Sequence, residues 1–430
     1  MITELTLVDF KNFANETLHV GPFTVVVGAN ASGKSNIRDA FRFLHGIGRG
    51  YTLAEIMGGK YGAGGQAEWE SIRGAPKEIS RLQQVDGYYG FMLSMSMKRN
   101  RTLIDYSIGV QSDIPNFGGF RVYQEELEEG KTTIYSSHPG GPDPVELQDD
   151  EHNLLLRMGK VGDQKKYGDR ISVRPDQPAL TQIGEHTRVR RSHKDAAQYA
   201  IDVLSNMRFF DLVPDRMRMP AFPGQAVLGD NGENLPTVLR RICSEPRRKD
   251  SLIQWTRELT PMDVVDFDFP VDTVTGLVQL VICEKGDRKL SAFSISDGTL
   301  RFLAMLATLL SENAMGVYFF EEIDNGIHPS RVQLLLDLME TQTAKGDIQV
   351  ITTTHSPDLL SMVNDKTFEN TSVVGRLENT NDAIIRPVAH LPDSRELRKT
   401  QGLGRLLSGG WMETALSFTE GERNDRGTSE

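Results

Sequence analysis

The feature that most restricts the fold of this chain is the segment GANASGKS at residues 28–35. The apolar residues 23–27 before it are typical of a buried strand, and residues 34–46 after it carry apolar side chains at helical spacing. A strand, a glycine-rich loop and a helix in this order predict an α/β unit. In such a unit Gly28 and Gly33 allow backbone N–H groups to turn inward around phosphate oxygens.

The side chains of this loop predict a nucleotide-binding site. The positive end of the helix dipole favours anions, Lys34 supplies a point charge for the outer phosphates, and the Ser35 hydroxyl is a suitable ligand for Mg²⁺. A chance glycine-rich turn is the alternative, which the flanking strand and helix disfavour. The candidate nucleotide-binding residues are Gly28, Asn30, Ser32, Gly33, Lys34, Ser35 and Asn36.

A second motif, GVYFFEEIDNGIHP at residues 316–329, supplies the acidic partner that such a loop needs, which we expect on a neighbouring strand. The apolar residues 317–320 predict a buried strand, and ligands of open α/β sheets bind at the carboxyl ends of strands. We expect Glu321 to hold Mg²⁺ and Glu322 to orient or deprotonate an attacking water molecule. Two solvated charges after a strand are the alternative interpretation.

Two further segments complete the candidate site. ITTTHSPDLL at 351–360 predicts an apolar strand that ends at His355, where an imidazole beside a terminal phosphate can donate a hydrogen bond and sense its loss. A lone histidine is more often structural. FSISDGTLRFLAML at 293–306 predicts a helix with Ser296 or Asp297 as its N-cap.

The order of these motifs resembles that of the ABC-type ATPases of the SMC, RecF and OLD group. The chain is most similar to compact bacterial AAA family ATPases, several of which are subunits of anti-phage defence systems. The opening I-x-x-L-x-L-x-x-F-K-N-F, Ile2 to Phe13, is similar to the first strands of that family, and residues 293–306 resemble its signature segment. The resemblance covers roughly residues 1–60 and 185–390.

The resemblance implies an ATPase that uses ATP and Mg²⁺ and works as a head-to-head dimer. Two heads of the family enclose ATP between the P-loop of one and the signature of the other. Ser296, Asp297 and Gly298 would then act in trans, and Asp324 to His328 would lie at the dimer seam. Glu321 stands where the family more often has aspartate, and Gln66 is a weak candidate for the Q-loop glutamine. LSGG at 407–410 follows the histidine motif, so we expect a turn near Trp411 there and not a signature.

The implied fold class is α/β, an ABC-type P-loop ATPase head with a mixed or parallel core sheet, an antiparallel β-subdomain and a helical signature lobe. Alternating residues from 87 to 136 predict an antiparallel meander with a hairpin turn at Glu129-Gly130. Residues rich in Pro, Gly and Asp from 137 to 182 predict loop. The segments 234–258 and 395–407 predict helices, and we expect the polar tail after the second one to fray. We divide the chain into an N-terminal ATPase lobe at 1–136, a variable loop-rich insertion at 137–185, a helical and strand arm or lid at 186–290, the signature, acid-pair and histidine part at 291–390, and a tail at 391–430.

Composition narrows the class of protein. Cys243 and Cys283 have no metal-ligand spacing, so neither a disulfide framework nor a zinc site is indicated. No apolar stretch approaches a membrane span and the N-terminus does not resemble a signal peptide, so we expect a cytoplasmic protein without membrane contact.

The net charge of −11 does not support general affinity for nucleic acid. Local basic patches are either solvated faces or part of a groove for phosphates in an oligomer: Lys98, Arg99 and Arg101; Arg188, Arg190, Arg191 and Lys194; Arg240, Arg241, Arg247, Arg248 and Lys249.

Two functions remain open from the sequence. The first is an ATP-driven sensor or scaffold, homodimeric or larger, that controls a separately encoded effector such as a nuclease in phage defence. The second is a RecF-like DNA-binding ATPase in repair. The acidic balance favours the first, and the lack of heptads and of a Toprim-like acidic cluster argues against a long coiled-coil arm and against DNA cleavage by this chain. A transporter ATPase fits the opening strands and signature less well.

Overall fold

The computed structural model describes residues 1–75, 78–81, 89–113, 119–137, 153–159, 168–312, 314–377 and 380–416. The strands are β1 Ile2–Phe10, β2 Phe13–His19, β3 Phe23–Val27, β4 Lys60–Tyr61, β5 Ala67–Trp69, β6 Tyr89–Arg99, β7 Thr102–Asp113, β8 Gly119–Glu129, β9 Thr132–Ser136, β10 Leu154–Met158, β11 Arg170–Val173, β12 Met207–Phe210, β13 Val264–Asp268, β14 Val281–Glu284, β15 Arg288–Ser291, β16 Gly316–Glu321, β17 Ile348–Thr354, β18 Thr371–Arg376 and β19 Ala383–Pro387. The helices are α1 Lys34–Gly48, α2 Leu53–Gly58, α3 Ala179–Gln182, α4 Arg191–Ser205, α5 Pro214–Met217, α6 Leu235–Cys243, α7 Pro246–Leu259, α8 Asp297–Leu309, α9 Val332–Thr343, α10 Pro357–Met362, α11 Asp365–Glu369, α12 Ser394–Gln401 and α13 Leu403–Ser408.

Within the described residues, 14 strands form one mixed sheet in the order β11-β10-β9-β8-β7-β6-β1-β2-β19-β18-β3-β17-β16-β12. One block of the sheet is parallel and consists of β18, β3, β17, β16 and β12. The carboxyl ends of these strands therefore share one edge. A second block is antiparallel and consists, in spatial order, of β2, β1, β6, β7, β8, β9, β10 and β11. It forms a wing beside the parallel block. A smaller sheet, β13-β14-β15, lies in the segment before α8.

The parallel block is buried on both faces because its side chains alternate between two hydrophobic cores. Val26 of β3 joins the core that contains the apolar face of α1, whereas Val25 and Val27 join the core under α8 and α9. In β16, Phe319 likewise joins the core that contains α1, and Phe320 joins the core under α8 and α9. The result is a three-layer α/β arrangement. Helix α8 is buried over most of its surface, and α5 and α6 both pack against it.

The predicted α/β class with a parallel core, an antiparallel β-subdomain and a helical signature lobe is confirmed. The meander is confirmed in β6 to β9, and the hairpin turn lies where it was predicted, with Glu129 opposite Thr132 and Gly130 at φ 61°. No helix of the described residues is both long and apolar enough to cross a membrane.

Three local predictions were wrong. The segment 137–182 is not all loop: its described parts include α3 and the strands β10 and β11, which are short and lie among residues rich in Pro, Gly and Asp. The helix predicted at 234–258 is two helices, because Pro246 has no N–H to continue α6 and instead begins α7. The helix predicted at 395–407 is divided at Gly402, which has φ 79°. The polar tail predicted to fray lies outside the described residues.

Candidate active site

The P-loop lies between β3 and α1, at the carboxyl edge of the parallel block. Gly33 has φ 117° and comes directly before the helix. At Gly28 a Cβ atom would lie 2.2 Å from the carbonyl oxygen of Val374, so only glycine fits there. The first turn of α1 has neither a side-chain cap nor an acidic residue. The loop therefore presents unsatisfied backbone N–H groups at a positive helix end, which is the requirement for an anion site.

Lys34 places its ammonium inside this loop. Its Nζ donates to the carbonyl oxygens of Gly28 at 2.6 Å and Ala29 at 2.7 Å. Burial lowers the pKa of Lys34, and the negative charge of Glu322 opposes that shift. The cation is thus held beside the loop backbone and within the electrostatic reach of the predicted base.

The other predicted residues of the loop differ in environment. Asn30 and Ser35 are exposed, which leaves the Ser35 hydroxyl accessible to a metal ion. The Asn36 amide donates to Asn12 Oδ1 at 2.7 Å, so it fixes the loop against the β1–β2 turn. Ser32 is buried, and its hydroxyl has no hydrogen-bond partner among the residues that the structure describes. A buried polar atom of this kind fits a site that binds a polar group.

The acidic pair lies at the end of β16. Contrary to the expectation from sequence, β16 is not the neighbour of β3, because β17 lies between them. Strand order is set by tertiary pairing, which motif order along the chain does not reveal. The consequence is favourable for the site: β17 brings His355 into the space between the P-loop and the two acids.

Glu321 forms an ion pair with Arg38 of α1, at 3.3 Å between Nη1 and Oε1. Its side chain is 41% exposed, so the carboxylate remains accessible from solvent. The contact joins the second turn of the P-loop helix to the strand that carries the acids. Arg38 is therefore a neighbour of the predicted metal ligand that was not among the predicted site residues.

Glu322 has a strained backbone, with φ 50° in the left-handed region. Its N–H donates to the carbonyl oxygen of Thr353 at 3.0 Å, which continues the ladder between β16 and β17. The Glu322 Oε1 atom lies 3.3 Å from His355 Nδ1, and Asn325 Nδ2 lies 3.5 Å from Oε2. Both members of the acid–histidine pair are about half exposed, so the contact orients the two groups more than it stabilises the fold.

The predicted signature segment begins α8. Ser296 is the N-cap, as predicted: its Oγ accepts from the N–H of Thr299 at 3.2 Å. Gly298 lies directly against the loop after β16, where a Cβ atom would be 2.1 Å from the carbonyl oxygen of Gly326. Arg218 binds Asp297 Oδ1 at 2.5 Å. In the described part of the chain, no hydrogen bond or ion pair joins these residues to the P-loop of the same chain.

A polar cluster that the sequence motifs did not predict lies beneath the P-loop. The Asp39 carboxylate, in the second turn of α1, is buried and binds both Lys11 and Arg73. Arg73 also donates to the carbonyl oxygen of Ser35 at 2.7 Å. Lys11 belongs to the opening F-K-N-F motif, which was a usable signal. Arg73 lies in no motif, and only the fold brings it to α1.

Gln66 and the LSGG segment both lie outside the candidate active site. Gln66 lies between β4 and β5, where its carbonyl oxygen accepts from the N–H of Gly62, and none of its described hydrogen bonds reaches the P-loop. LSGG at 407–410 forms the end of α13 and the turn after it, with Gly410 at φ 71°, as predicted.

Comparison with known sequences identifies one family profile, described as an AAA domain, putative AbiEii toxin, Type IV TA system, which matches residues 23–85 and 245–361. The two matched segments contain the P-loop, the start of α8, the acidic pair and His355. The match supports an ATPase. No significant match was found among curated protein sequences.

Comparison with solved structures finds SMC heads of low identity. The SMC head domain from Thermotoga maritima has a TM-score of 0.42 and 13% identity, over 90% of this chain and 98% of that one. An SMC head bound to the C-terminal winged-helix domain of ScpA has a TM-score of 0.48 and 14% identity, over 90% and 98%. A Pyrococcus furiosus SMC head with an extended coiled coil, bound to the C-terminal domain of ScpA, has a TM-score of 0.45 and 11% identity, over 93% and 99%.

Proposed function

We propose that this chain binds ATP with Mg²⁺ and hydrolyses it to ADP and phosphate. The observation that carries the proposal is the meeting of three elements at one edge of the sheet: the P-loop after β3, Glu321 and Glu322 after β16, and His355 after β17. A phosphate-binding loop, a pair of acids and a histidine at adjacent strand ends provide what phosphoryl transfer to water requires.

The residues fit a bound nucleotide and metal ion. Backbone N–H groups of the P-loop and the Lys34 ammonium would bind the phosphates, with Asn30, Ser32 and Asn36 lining the loop. The Ser35 hydroxyl and the Glu321 carboxylate would hold Mg²⁺, and Arg38 would then have to leave its contact with Glu321. Bound Mg²⁺ neutralises charge on the phosphate oxygens.

Glu322 is the proposed general base. It accepts a proton from water as the water oxygen attacks the terminal phosphorus and the bond to the ADP oxygen breaks. His355, whose Nδ1 lies 3.3 Å from Glu322, orients this carboxylate, and when the ring is protonated its Nε2 can donate to a phosphate oxygen. The positive φ of Glu322 directs its side chain away from the course of β16, which fits a residue placed for chemistry.

We further propose that the active form is a head-to-head homodimer in which Ser296, Asp297 and Gly298 complete the site of the partner. Two observations support this arrangement. The described hydrogen bonds of Ser296 stay within the first turn of its own helix, and Gly298 contacts the loop that follows the acidic pair. A change at the partner's phosphate would thus be transmitted through Gly326 to Asn325 and Glu322 of the same chain.

For the cellular role, we propose a sensor or scaffold ATPase that controls a separate effector, such as a nuclease, in anti-phage defence. The matched family profile, whose description names a putative AbiEii toxin of a type IV toxin–antitoxin system, supports a role of this kind. A RecF-like DNA-binding ATPase is the second candidate, and the basic side chains at the start of α4 favour it. Co-purification of a neighbouring gene product would support the first role; steeply salt-dependent DNA binding would support the second.

The test of the chemistry is Glu322→Gln, which keeps the shape of the side chain and removes the base. We expect ATP binding to persist while turnover falls by about 10²-fold or more. Steady-state phosphate release and equilibrium binding of labelled ATP measure the two quantities. Glu185→Gln, at an exposed acid outside the site, is the control. If turnover survived in Glu322→Gln and was lost in Glu321→Gln, the roles of the two acids would be exchanged.

A further inference from the structure

The start of α4 carries a cluster of cations that the proposed chemistry does not use. Arg188, Arg190 and Arg191 are exposed and Lys194 is partly buried. Among the residues that the structure describes, none of these four side chains has an ion pair or a hydrogen bond. The third basic patch differs, because there Arg241 binds Glu312 and Lys249 binds Asp266.

A buried histidine lies beneath these cations. His193, in the first turn of α4, is 2% exposed, and neither of its ring nitrogens has a hydrogen-bond partner in the described part of the chain. Burial lowers the pKa of His193, and the charge of Arg190 lowers it further. A buried imidazole with two unsatisfied nitrogens is unusual and indicates a missing polar partner.

His193 lines a small cavity together with Arg188, Arg190 and the backbone of Gly159 and Gly168. The cavity has a volume of about 80 Å³, which is room for a small oxyanion. Asp169 is the acid on its wall. A ligand there must accept hydrogen bonds from arginine and imidazole. A free phosphate ion also has a protonated oxygen that can donate to Asp169, whereas a phosphodiester has none.

The N-terminus of α4 also favours an anionic ligand. Its N-cap is Arg190, which makes no side-chain capping bond, and its first turn has no acid. The contrast with α7 is informative, since that helix also begins with basic residues. There the Glu245 carboxylate accepts from the N–H groups of Arg247 and Arg248, so the chain supplies its own anion. At α4 the described chain supplies none, which leaves the N–H groups to an external anion.

We propose that the start of α4 is a phosphate-binding site formed by Arg188, Arg190, His193 and the helix N-terminus. The phosphate is either a free phosphate ion or one phosphodiester of a nucleic acid whose neighbouring phosphates contact Arg191 and Lys194. The site is separate from the P-loop and does not depend on the proposed ATPase activity.

The experiment uses the full chain with Lys34→Ala, so that the P-loop does not hold phosphate. Inorganic phosphate is titrated by calorimetry, and a labelled 12-nucleotide single strand by fluorescence anisotropy with phosphate as competitor. We expect Arg188→Gln/Arg190→Gln, and separately His193→Phe, to weaken binding at least about tenfold. Arg247→Gln at the capped start of α7 is the matched control, with less than about twofold change expected.

The outcomes separate the sources of phosphate. Loss of both phosphate and oligonucleotide binding in the α4 variants supports the site with a nucleic acid as its ligand. Loss of phosphate binding from a chain that ignores the oligonucleotide supports the site with free phosphate. The proposal would be overturned if the chain bound no phosphate. It would also be overturned if Arg247→Gln weakened phosphate binding, or oligonucleotide binding, as much as the α4 variants do. The double arginine variant changes exposed side chains only, so it keeps the test decisive even if His193→Phe fails to fold.

Discussion

The starts of α1 and α8 are two glycine-containing loop-to-helix junctions. They differ in how the backbone N–H groups of the first helical turn are satisfied. Helix α1 has no side-chain cap and begins with the cation Lys34. Helix α8 is capped by Ser296, and its first-turn acid, Asp297, is bound by Arg218. The free N–H groups of α1 are available to a ligand, whereas α8 satisfies part of its own N-terminus. One junction is therefore the proposed anion site of a single chain, and the other is proposed to become part of a site only when a second head approaches.

The capping bond does not prevent Ser296 from acting in trans. Its Oγ accepts from the Thr299 N–H with a lone pair and lies 2.9 Å from Thr299 Oγ1. When Thr299 is the donor in that contact, the Ser296 hydroxyl hydrogen remains free for a phosphate oxygen of the partner's nucleotide. Capping and recognition are compatible at one side chain, and the predictions below test whether the two junctions differ as described.

The largest expected effect is that of Lys34→Ala at the uncapped junction. The variant loses the cation that the loop holds for the phosphates, so we expect the Kd for ATP to rise by at least about 10²-fold. Equilibrium binding of labelled ATP measures it. Ser296→Ala, at the capped junction, should bind ATP to a single head as the unmodified chain does. Near-normal affinity in Lys34→Ala would reject the P-loop as the nucleotide site.

The next effect is on turnover, in Ser296→Arg. The added bulk and charge at the seam should reduce hydrolysis by about 10²-fold, while ATP binding to a single head changes little. Phosphate release at saturating ATP, paired with a binding isotherm, gives both numbers. Full hydrolysis by this variant would reduce the start of α8 to a helix cap with no role in trans.

Mixing Ser296→Arg chains with Glu322→Gln chains sharpens this result. An isologous dimer of the two variants contains one doubly altered site and one unaltered site. We expect each heterodimer to have about half of the unmodified activity if the sites act independently, and less if they are coupled. A randomly exchanged mixture of equal amounts should then reach about a quarter of the unmodified level, because half of its dimers are inactive homodimers. Subunit exchange is verified by co-purification of two tags. With exchange established, absence of recovery at every mixing ratio would argue against independent composite sites.

A smaller effect is expected from Gly298→Ala, which tests the contact between α8 and the loop after β16. The new Cβ would lie 2.1 Å from the Gly326 carbonyl oxygen, so the loop must move. We expect a loss of about 1–3 kcal/mol in the free energy of unfolding and slower turnover, because Asn325 and Glu322 lie in the displaced loop. Gly184→Ala, where a Cβ meets no atom within 4 Å, is the control for urea unfolding. Equal stability of both variants would contradict the contact.

The smallest effect is the cap itself. Ser296→Ala removes the acceptor for the Thr299 N–H and should reduce the free energy of unfolding by about 1 kcal/mol. Ser35→Ala, in the first turn of uncapped α1, should leave stability unchanged, since Ser35 is not the N-cap and α1 has no side-chain capping bond. The same urea titration compares the two variants. A loss of stability in Ser35→Ala equal to that in Ser296→Ala would remove the distinction between the junctions.

The sequence was sufficient for features encoded within about ten residues. The P-loop, the Ser296 cap and the Glu129-Gly130 turn are local patterns, and each lies where it was predicted. Features that depend on tertiary pairing were missed. The place of β17 between β3 and β16 and the contact of Arg73 with Asp39 arise from strand order and helix packing, which are not visible in spacing. The strand β10 was missed because its sequence, LLLRM, is short and does not alternate between apolar and polar residues, although its burial does.

The positive φ of Glu322 means that the proposed base lowers the stability of the fold at the position where the proposed reaction needs it. A non-glycine residue in the left-handed region costs on the order of 1 kcal/mol, and the hydrogen bond from its N–H to Thr353 keeps the backbone there. Glycine or asparagine at this position would relax that strain but lack the carboxylate. Laboratory selection for thermostability alone would therefore favour losing the residue on which turnover is proposed to depend.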